Sequence, residues 1–453
     1  MVSVGMHFDR GRQVCAAFSV TGVLAVSHKG CRKGPRAAQK DGNMKILQIN
    51  SHYDQGGAAR IVACIHRQLL AQGQESHVAY GRGRKGAEGT YRFNTVPEVL
   101  LSAGCSRFLG KNGWYNRMAT RRLLRFMEQI KPDVVHLHAL HGYYLNFPML
   151  FNYINDKKIS CVWTFHDCHA FTGNCGYFFD CERWKKGCGN CPYPGNYPAS
   201  QWFDRSEQMW RQKQELFTRG RKVIVTPSRW LTEQAKQSYF KKYPCITIHN
   251  GINTKQIFYP RDRRACREKY GFGQEEKLIL GIAAGYRDQR KGARYIIQLA
   301  RDLGNEAKLI LIGWNRENDA MLEENGGRAG NILTLPNTAD TEMLAEYYSM
   351  ADVFVIPSLA ENYATTTLEA MACGTPVVGF EVGGIPEQLE GGRGITVKAG
   401  DQALFDEAVR SVLRGKARLM SREALAAAVG EENSTERMTE AYQQIYRELF
   451  REG

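Results

Sequence analysis

Residues 352–378 read DVFVIPSLAENYATTTLEAMACGTPVV, and the punctuation of this stretch decides the fold. The apolar run Val353-Phe354-Val355-Ile356 stops at Pro357-Ser358, which predicts the end of a buried strand. A short loop runs from Leu359 to Tyr363. Thr365 to Cys373 then carries the good helix formers Leu368, Glu369, Ala370, Met371 and Ala372, with Gly374 as a natural residue beyond the C-terminus. Thr375-Pro376 lead into a further apolar pair, Val377-Val378. Strand, loop, helix, strand puts that loop at the carboxyl ends of a parallel sheet, where open α/β sheets bind ligands. Two acids flank it: Glu361 in the loop and Glu369 about one turn into the helix. The free amides of the helix start, near Thr365 and Thr366, suit a phosphate.

Outward from this unit, strand and helix alternate in both directions. Strands are expected at 44–50, 75–80, 133–138, 160–167, 222–228 and 245–250. The pattern restarts near 258–260, with strands at 277–283, 308–314, 331–336, 352–357 and 376–380. Helices fill the intervals, including 202–218, 229–240 and 291–303. This predicts an α/β protein of two doubly wound parallel-sheet domains, 44–258 and 259–432. A Cys-rich insertion, 168–200, interrupts the first domain. A last long helix within 433–453 is expected to pack back on that domain.

The 453 residues are 43% hydrophobic and 24% charged, an ordinary composition for a globular chain with sizeable cores. No run approaches the roughly 18–20 apolar residues of a membrane span. The net charge of +15 points to an anionic partner such as a nucleotide or a membrane surface. Residues 1–43 hold seven of the Lys and Arg against two Asp, so +5 lies there. The weakly apolar run 14–26 imitates a signal peptide, but Ser19, Thr21 and Gly22 interrupt it, and MKILQIN starting at Met44 is a typical first strand. Residues 1–43 are expected to be a disordered or non-native extension, and the protein to be cytoplasmic. The helix at 117–130 places Arg117, Arg121, Arg122 and Arg125 on one side, either as a solvated face or as a contact with anionic lipid.

Five of the thirteen cysteines cluster: Cys168, Cys175, Cys181, Cys188 and Cys191. Cys188-Gly189-Asn190-Cys191 is a C-x2-C knuckle, and Cys175 with Cys181 would complete a structural four-cysteine zinc site stapling a loop without a core. Free thiols are the plainer reading. The remaining cysteines are scattered and suit small core positions in a reducing compartment.

With its neighbours, Glu361-x7-Glu369 resembles the E-x7-E motif of the retaining family-4 glycosyltransferases. Other stretches agree in order: DQGGA at 54–58, DVVHLHALH at 133–141, WTFHD at 163–167, IHNGI at 248–252 and RDQRKG at 287–292. The resemblance covers roughly 44–450 and is strongest to the subgroup that builds capsular, exopolysaccharide or O-antigen chains. It implies the GT-B fold, two Rossmann-like domains facing a central cleft, and transfer from a nucleotide-diphosphate sugar to a glycan acceptor, lipid-linked in this subgroup. It also implies individual roles. Glu369 would hold the ribose hydroxyls, and Glu361 would lie near the donor sugar. Lys291, with Arg287 or Arg290, would neutralise the diphosphate. Gly56 and Gly57 would let backbone approach the phosphate or the acceptor, His166 would face the sugar, and Asn362 and Thr365 would line the pocket. Asn362-Tyr363 replaces the common Gly-Phe after the first acid.

His136 is expected to face the core and His138 and His141 the cleft. No cofactor is expected to be required for catalysis. Taken singly, each feature has a plainer reading: a lysine starting a helix, glycines making a turn, a histidine closing a strand. A sugar-nucleotide hydrolase, a phosphorylase-like relative or a non-catalytic GT-B subunit are the neighbouring alternatives. A nucleic-acid binder is disfavoured, because aromatics do not interleave any basic patch.

Overall fold

The computed structural model describes residues 44–54, 56–198, 203–283, 285–324 and 329–451. The expectation for 1–43 therefore lies outside the described residues, as does Trp202, the start expected for the helix that here runs Ser206–Phe217.

Two parallel sheets carry the fold. The first contains β1 (Lys45–His52), β2 (Glu75–Arg82), β3 (Thr90–Arg92), β4 (Val134–Leu137), β5 (Ser160–Thr164), β6 (Lys222–Thr226) and β7 (Cys245–Thr247), in the order β3-β2-β1-β4-β5-β6-β7. The second contains β8 (Leu278–Ile282), β9 (Lys308–Ile312), β10 (Ile332–Leu335), β11 (Val353–Ile356), β12 (Val377–Phe380) and β13 (Gly394–Val397), ordered β10-β9-β8-β11-β12-β13. Apolar runs such as VFVI in β11 are buried along their whole length, as a sheet covered on both faces requires. In each sheet the winding reverses beside the first strand, between β1 and β4 and between β8 and β11. Those two reversals open crevices at the carboxyl ends of the strands, and the β11 loop lies at the second.

The helix Thr435–Arg451 packs Met438, Tyr442, Ile445, Tyr446 and Leu449 against Ile46, Ile61, Ile65 and Leu69 of the first sheet's layer. It also carries a buried polar chain. His136 bridges the hydroxyls of Tyr446 (2.6 Å) and Thr164 (2.8 Å), and Thr164 meets Tyr442 at 2.9 Å.

The sequence expectations lack the helices Ile385–Leu389, Gln402–Leu413 and Arg422–Glu432, the strands β3 and β13, and the helix Val96–Leu109. That helix is inverted. Its buried residues are Ser102 and Ser106, one turn apart, whereas Val96 (64% exposed), Leu100 (66%) and Leu101 (72%) face outward. Beside it runs the helix Arg117–Ile130, where the expected stripe of four arginines is corrected to three. Arg122 lies well round the helix from the Arg117, Arg121 and Arg125 stripe, and it turns inward to bond the Phe93 carbonyl (2.8 Å) and Glu98.

The four-cysteine zinc site is also corrected. Among the described residues no three His, Cys, Asp or Glu side chains are grouped as metal ligands would be. Cys175, Cys181, Cys188 and Cys191 instead line a cavity of about 20 Å³ with Phe178 and Trp184. Burial pushes the Cys175 thiol up to about 12 and Cys188 up to about 11. The insertion has the core that its sequence does not advertise. Trp184 and Phe171 are fully buried, Phe178 stacks on Trp230, and buried Lys213 donates to the carbonyls of His169 and Thr172.

Candidate functional site

The β11 loop is clamped from below by the loop after β8. The Leu359 N–H donates to the Arg290 carbonyl at 2.7 Å. Gly292 has φ +68°, and a Cβ there would stand 1.9 Å from the Pro357 carbonyl oxygen, so only glycine permits this approach. The same turn corrects the expected helix start at Lys291. A 3-10 turn, Gln289–Lys291, comes first, and the α-helix begins at Ala293.

This geometry brings two of the sequence-selected cations onto Glu361. Lys291 Nζ lies 2.6 Å and Arg290 Nη1 3.2 Å from Glu361 Oε2. Burial alone would raise the Glu361 carboxyl, but Lys291 and then Arg290 outweigh it and hold the group at about 2. Arg290 is further fixed by the Ala360 carbonyl (2.9 Å) and by the ring of Tyr177, 4.5 Å from its guanidinium carbon. Arg287 stands apart, largely exposed and 3.9 Å from Glu317. The structure thus sets Arg290, not Arg287, beside Lys291.

Glu369 sits one turn inside the helix Thr365–Ala372 and is 2% exposed. Its Oε2 accepts from the Tyr348 hydroxyl at 3.0 Å, and its Oε1 meets Arg60 Nη1 at 3.2 Å. Burial raises this carboxyl, and Arg60 and Tyr348 oppose the rise. Arg60 comes from the other sheet's layer. It lies in the first turn of the helix Gly57–Ala71, whose N-cap is Gly56 at φ +90°. A Cβ built on Gly56 or Gly57 would meet nothing within 4 Å, so the backbone there borders open space. Thr365 opens its helix half-buried, while the preceding Ala364 N–H is taken by Gln388 Oε1 at 3.2 Å.

Asn362 ties the two sheets together. Its Nδ2 donates to the His166 carbonyl (3.0 Å), and its Oδ1 accepts from Ser228 Oγ (2.5 Å). His166 Nε2 stands 3.1 Å from His138 Nδ1, and His138 Nε2 3.1 Å from Gln48 Oε1. Burial lowers His166 to about 4, which keeps its imidazole neutral. His136 is in the core, as described above. His141 pairs with Asp167 at 2.6 Å.

The structure therefore gathers Glu361, Lys291, Arg290 and Asn362 in one cluster, with His166 linked to Asn362 and Glu369 joined to the opposite layer. Arg60, Tyr177 and Tyr348 belong to this neighbourhood and escaped the sequence reading. Arg60 was the most findable of the three, as a lone basic residue in the turn after a double glycine.

The amino-terminal half, residues 55–256, matches the family described as Glycosyltransferase Family 4. Residues 276–415 match Glycosyl transferases group 1. The Escherichia coli (strain K12) protein WcaC, named as a colanic acid biosynthesis glycosyl transferase, is 28% identical over 370 residues, covering 78% of this chain and 87% of that one. Sucrose-phosphate synthase from Thermosynechococcus elongatus superposes with a TM-score of 0.70 at 19% identity, over 90% of this chain and 100% of that one. Anabaena HepE in complex with UDP-glucose superposes with a TM-score of 0.62 at 15% identity, over 89% and 99%. Both superpositions speak to the fold.

Proposed function

We propose that this chain, a two-domain GT-B protein whose two halves each match a glycosyltransferase family, moves a hexose-type sugar from a nucleotide-diphosphate donor to a lipid-linked glycan, with retention of configuration, in surface-polysaccharide biosynthesis. The observation that carries the reading is the Glu361–Lys291–Arg290 cluster at the second sheet's winding reversal, tied across the crevice to His166 through Asn362.

The chemistry asks little of side chains beyond charge and position. Substitution at an anomeric carbon passes through an oxocarbenium-like state, and a nucleoside diphosphate already leaves well. Lys291 holds a carboxylate partner before the donor arrives. The donor's diphosphate exchanges for that partner, so the ammonium does not have to be stripped of water again, and its charge stabilises the departing phosphate. Glu361, released from Lys291, keeps Arg290 and lies where the sugar would sit. Glu369 receives the ribose hydroxyls. The relative crystallised with UDP-glucose and the colanic acid relative support a nucleotide sugar and a polysaccharide product.

The lipid-linked acceptor draws support from the inverted helix. Val96, Leu100 and Leu101 on this helix and Met118 on the next are all exposed apolar side chains, Met118 at 58%. Between Val96 and Met127 the chain has six basic residues and a single acid, Glu98, which is paired with Arg122. Exposed apolar side chains in a basic segment suit an anionic bilayer at the cytoplasmic face, and the shared positive charge opposes pairing of two copies through this face. Among the described residues no helix is long and apolar enough to cross a membrane.

A thermal-shift screen of nucleotide sugars tests the donor assignment: one donor should stabilise the protein, and Glu369→Ala should abolish that gain. A gain that survives Glu369→Ala contradicts the ribose role. Flotation with phosphatidylglycerol vesicles tests the acceptor side. Leu100→Glu/Leu101→Glu should weaken binding by at least about 100-fold, given about 1.5–3 kcal/mol per inserted leucine, while leaving donor stabilisation intact.

A further inference from the structure

The ribose clamp assigned to Glu369 is not built by the second domain alone. Glu369 is buried to 2% exposure, and the side chains that bond its two oxygens are Tyr348 of the helix Thr341–Met350 and Arg60 of the helix Gly57–Ala71. Tyr348 is itself fully buried, so it offers a hydrogen bond without charge. Cys373, one turn on along Glu369's own helix, is a thiol that burial pushes up to about 12 and is neutral. Arg422, on the neighbouring helix Arg422–Glu432, spends its guanidinium on the carbonyls of Ala351 (3.0 Å) and Ser349 (2.6 Å) and on the Thr375 hydroxyl (2.9 Å). The compensating charge for Glu369 therefore comes from Arg60, 309 residues away in sequence.

We propose that Arg60 is a positioning residue for the donor: its guanidinium compensates and orients the Glu369 carboxylate, so that the amino-terminal domain takes part in donor binding. The inference rests on the reading of Glu369 as the ribose clamp. A ribose presents two vicinal hydroxyl donors, and a carboxylate can accept from both, whereas a protonated carboxyl loses one acceptor to its own proton. Burial drives Glu369 towards the protonated form and Arg60 resists it. Arg60 also sets Oε1 in place while Tyr348 sets Oε2, which fixes the plane of the carboxylate. Its side chain is 35% exposed, so it has room to swing aside as the ribose arrives.

The sign follows from linkage. With Arg60 neutralised, the Glu369 carboxyl titrates at higher pH, so the clamp is intact at alkaline pH and lost as pH falls. The test is isothermal titration of UDP, GDP, ADP and dTDP between pH 6.0 and 8.5, carrying forward whichever the wild type binds tightest. Arg60→Gln keeps a hydrogen-bond donor and removes the charge. Its affinity relative to wild type at the same pH should fall as pH drops from 8.5 to 6.0, by up to about tenfold for each pH unit below the carboxyl's titration. Arg60→Lys should restore the wild-type profile. Division by the wild-type curve cancels the titration of the nucleotide's own phosphate. A wild-type-like Arg60→Gln profile, or a loss equal at every pH, overturns the role given to Arg60. Undiminished nucleotide binding by Glu369→Ala overturns the clamp itself, a separate result. Melting curves of each variant in the same buffers confirm that the folded protein is being titrated.

Discussion

Replacing Lys291 with methionine removes the closest countercharge of a buried carboxylate, and its consequences divide cleanly between stability and chemistry. The Glu361 carboxyl is held at about 2 against an ordinary 4.5. That depression corresponds to about 3 kcal/mol of net stabilisation, at roughly 1.4 kcal/mol per unit. Because the folded value is depressed, the contribution is fully present above about pH 4.5 and fades as pH falls towards 2. Arg290 remains in Lys291→Met, so the expected loss is about 2 kcal/mol, or roughly 4–8 °C in Tm for a domain of this size. In Lys291→Met/Glu361→Gln the uncompensated charge is gone as well, and most of that loss should return. Transfer activity should not return, since the diphosphate still lacks its cation. Thermal melts at pH 7.5 and a product assay on the four corners of this cycle make the measurement. An unchanged Tm in the single variant, or recovered transfer in the double, would refute the reasoning.

Tyr177→Ala removes the ring stacked on Arg290 and should raise the donor KM about fivefold, with kcat little changed, while Tyr177→Phe stays near wild type. Equal effects of Ala and Phe would assign the loss to the hydroxyl instead. Acid stability depends on His166, lowered by burial to about 4 from 6.5. A lowered histidine contributes stability that is intact above pH 6.5 and is lost as pH falls towards 4, here about 3 kcal/mol. Urea melts at pH 7.5 and 5.0 span about 2 kcal/mol of that loss, which should be reduced in His166→Asn. Gly292→Ala forces a Cβ to 1.9 Å from the Pro357 carbonyl at a positive φ, and should cost several kcal/mol, about 3 or more, together with nucleotide binding, as read by melts and titration.

The fold was legible because both sheets are built of buried parallel strands, whose apolar runs, bounded by Pro and Gly, stand out in a linear reading. β3 did not stand out: it is three residues at a sheet edge, two half-buried and one exposed. The helix Val96–Leu109 hid because its burial runs against the usual rule, with serines inward and leucines outward. Within the site, Glu361, Lys291 and Asn362 sit beside turn signals that reveal a strand end. Arg290 could be separated from Arg287 only by the 3-10 turn ending at Gly292, which no spacing argument supplies. Arg60 and Tyr177 reach the site from another layer and from an irregular insertion, so their roles exist only in three dimensions. The cysteine cluster misled because a C-x2-C knuckle advertises metal, while the tryptophans that fill the insertion sit far apart in sequence.

The most direct measurement is a crystal structure of the protein grown with the nucleoside diphosphate that stabilises it most. The ribose hydroxyls should lie within hydrogen-bond distance, about 2.6–3.0 Å, of the Glu369 carboxylate. The diphosphate should contact Lys291, with the Lys291–Glu361 pair opened from its 2.6 Å. A nucleotide bound elsewhere, or one bound here with its ribose turned away from Glu369, would contradict the account.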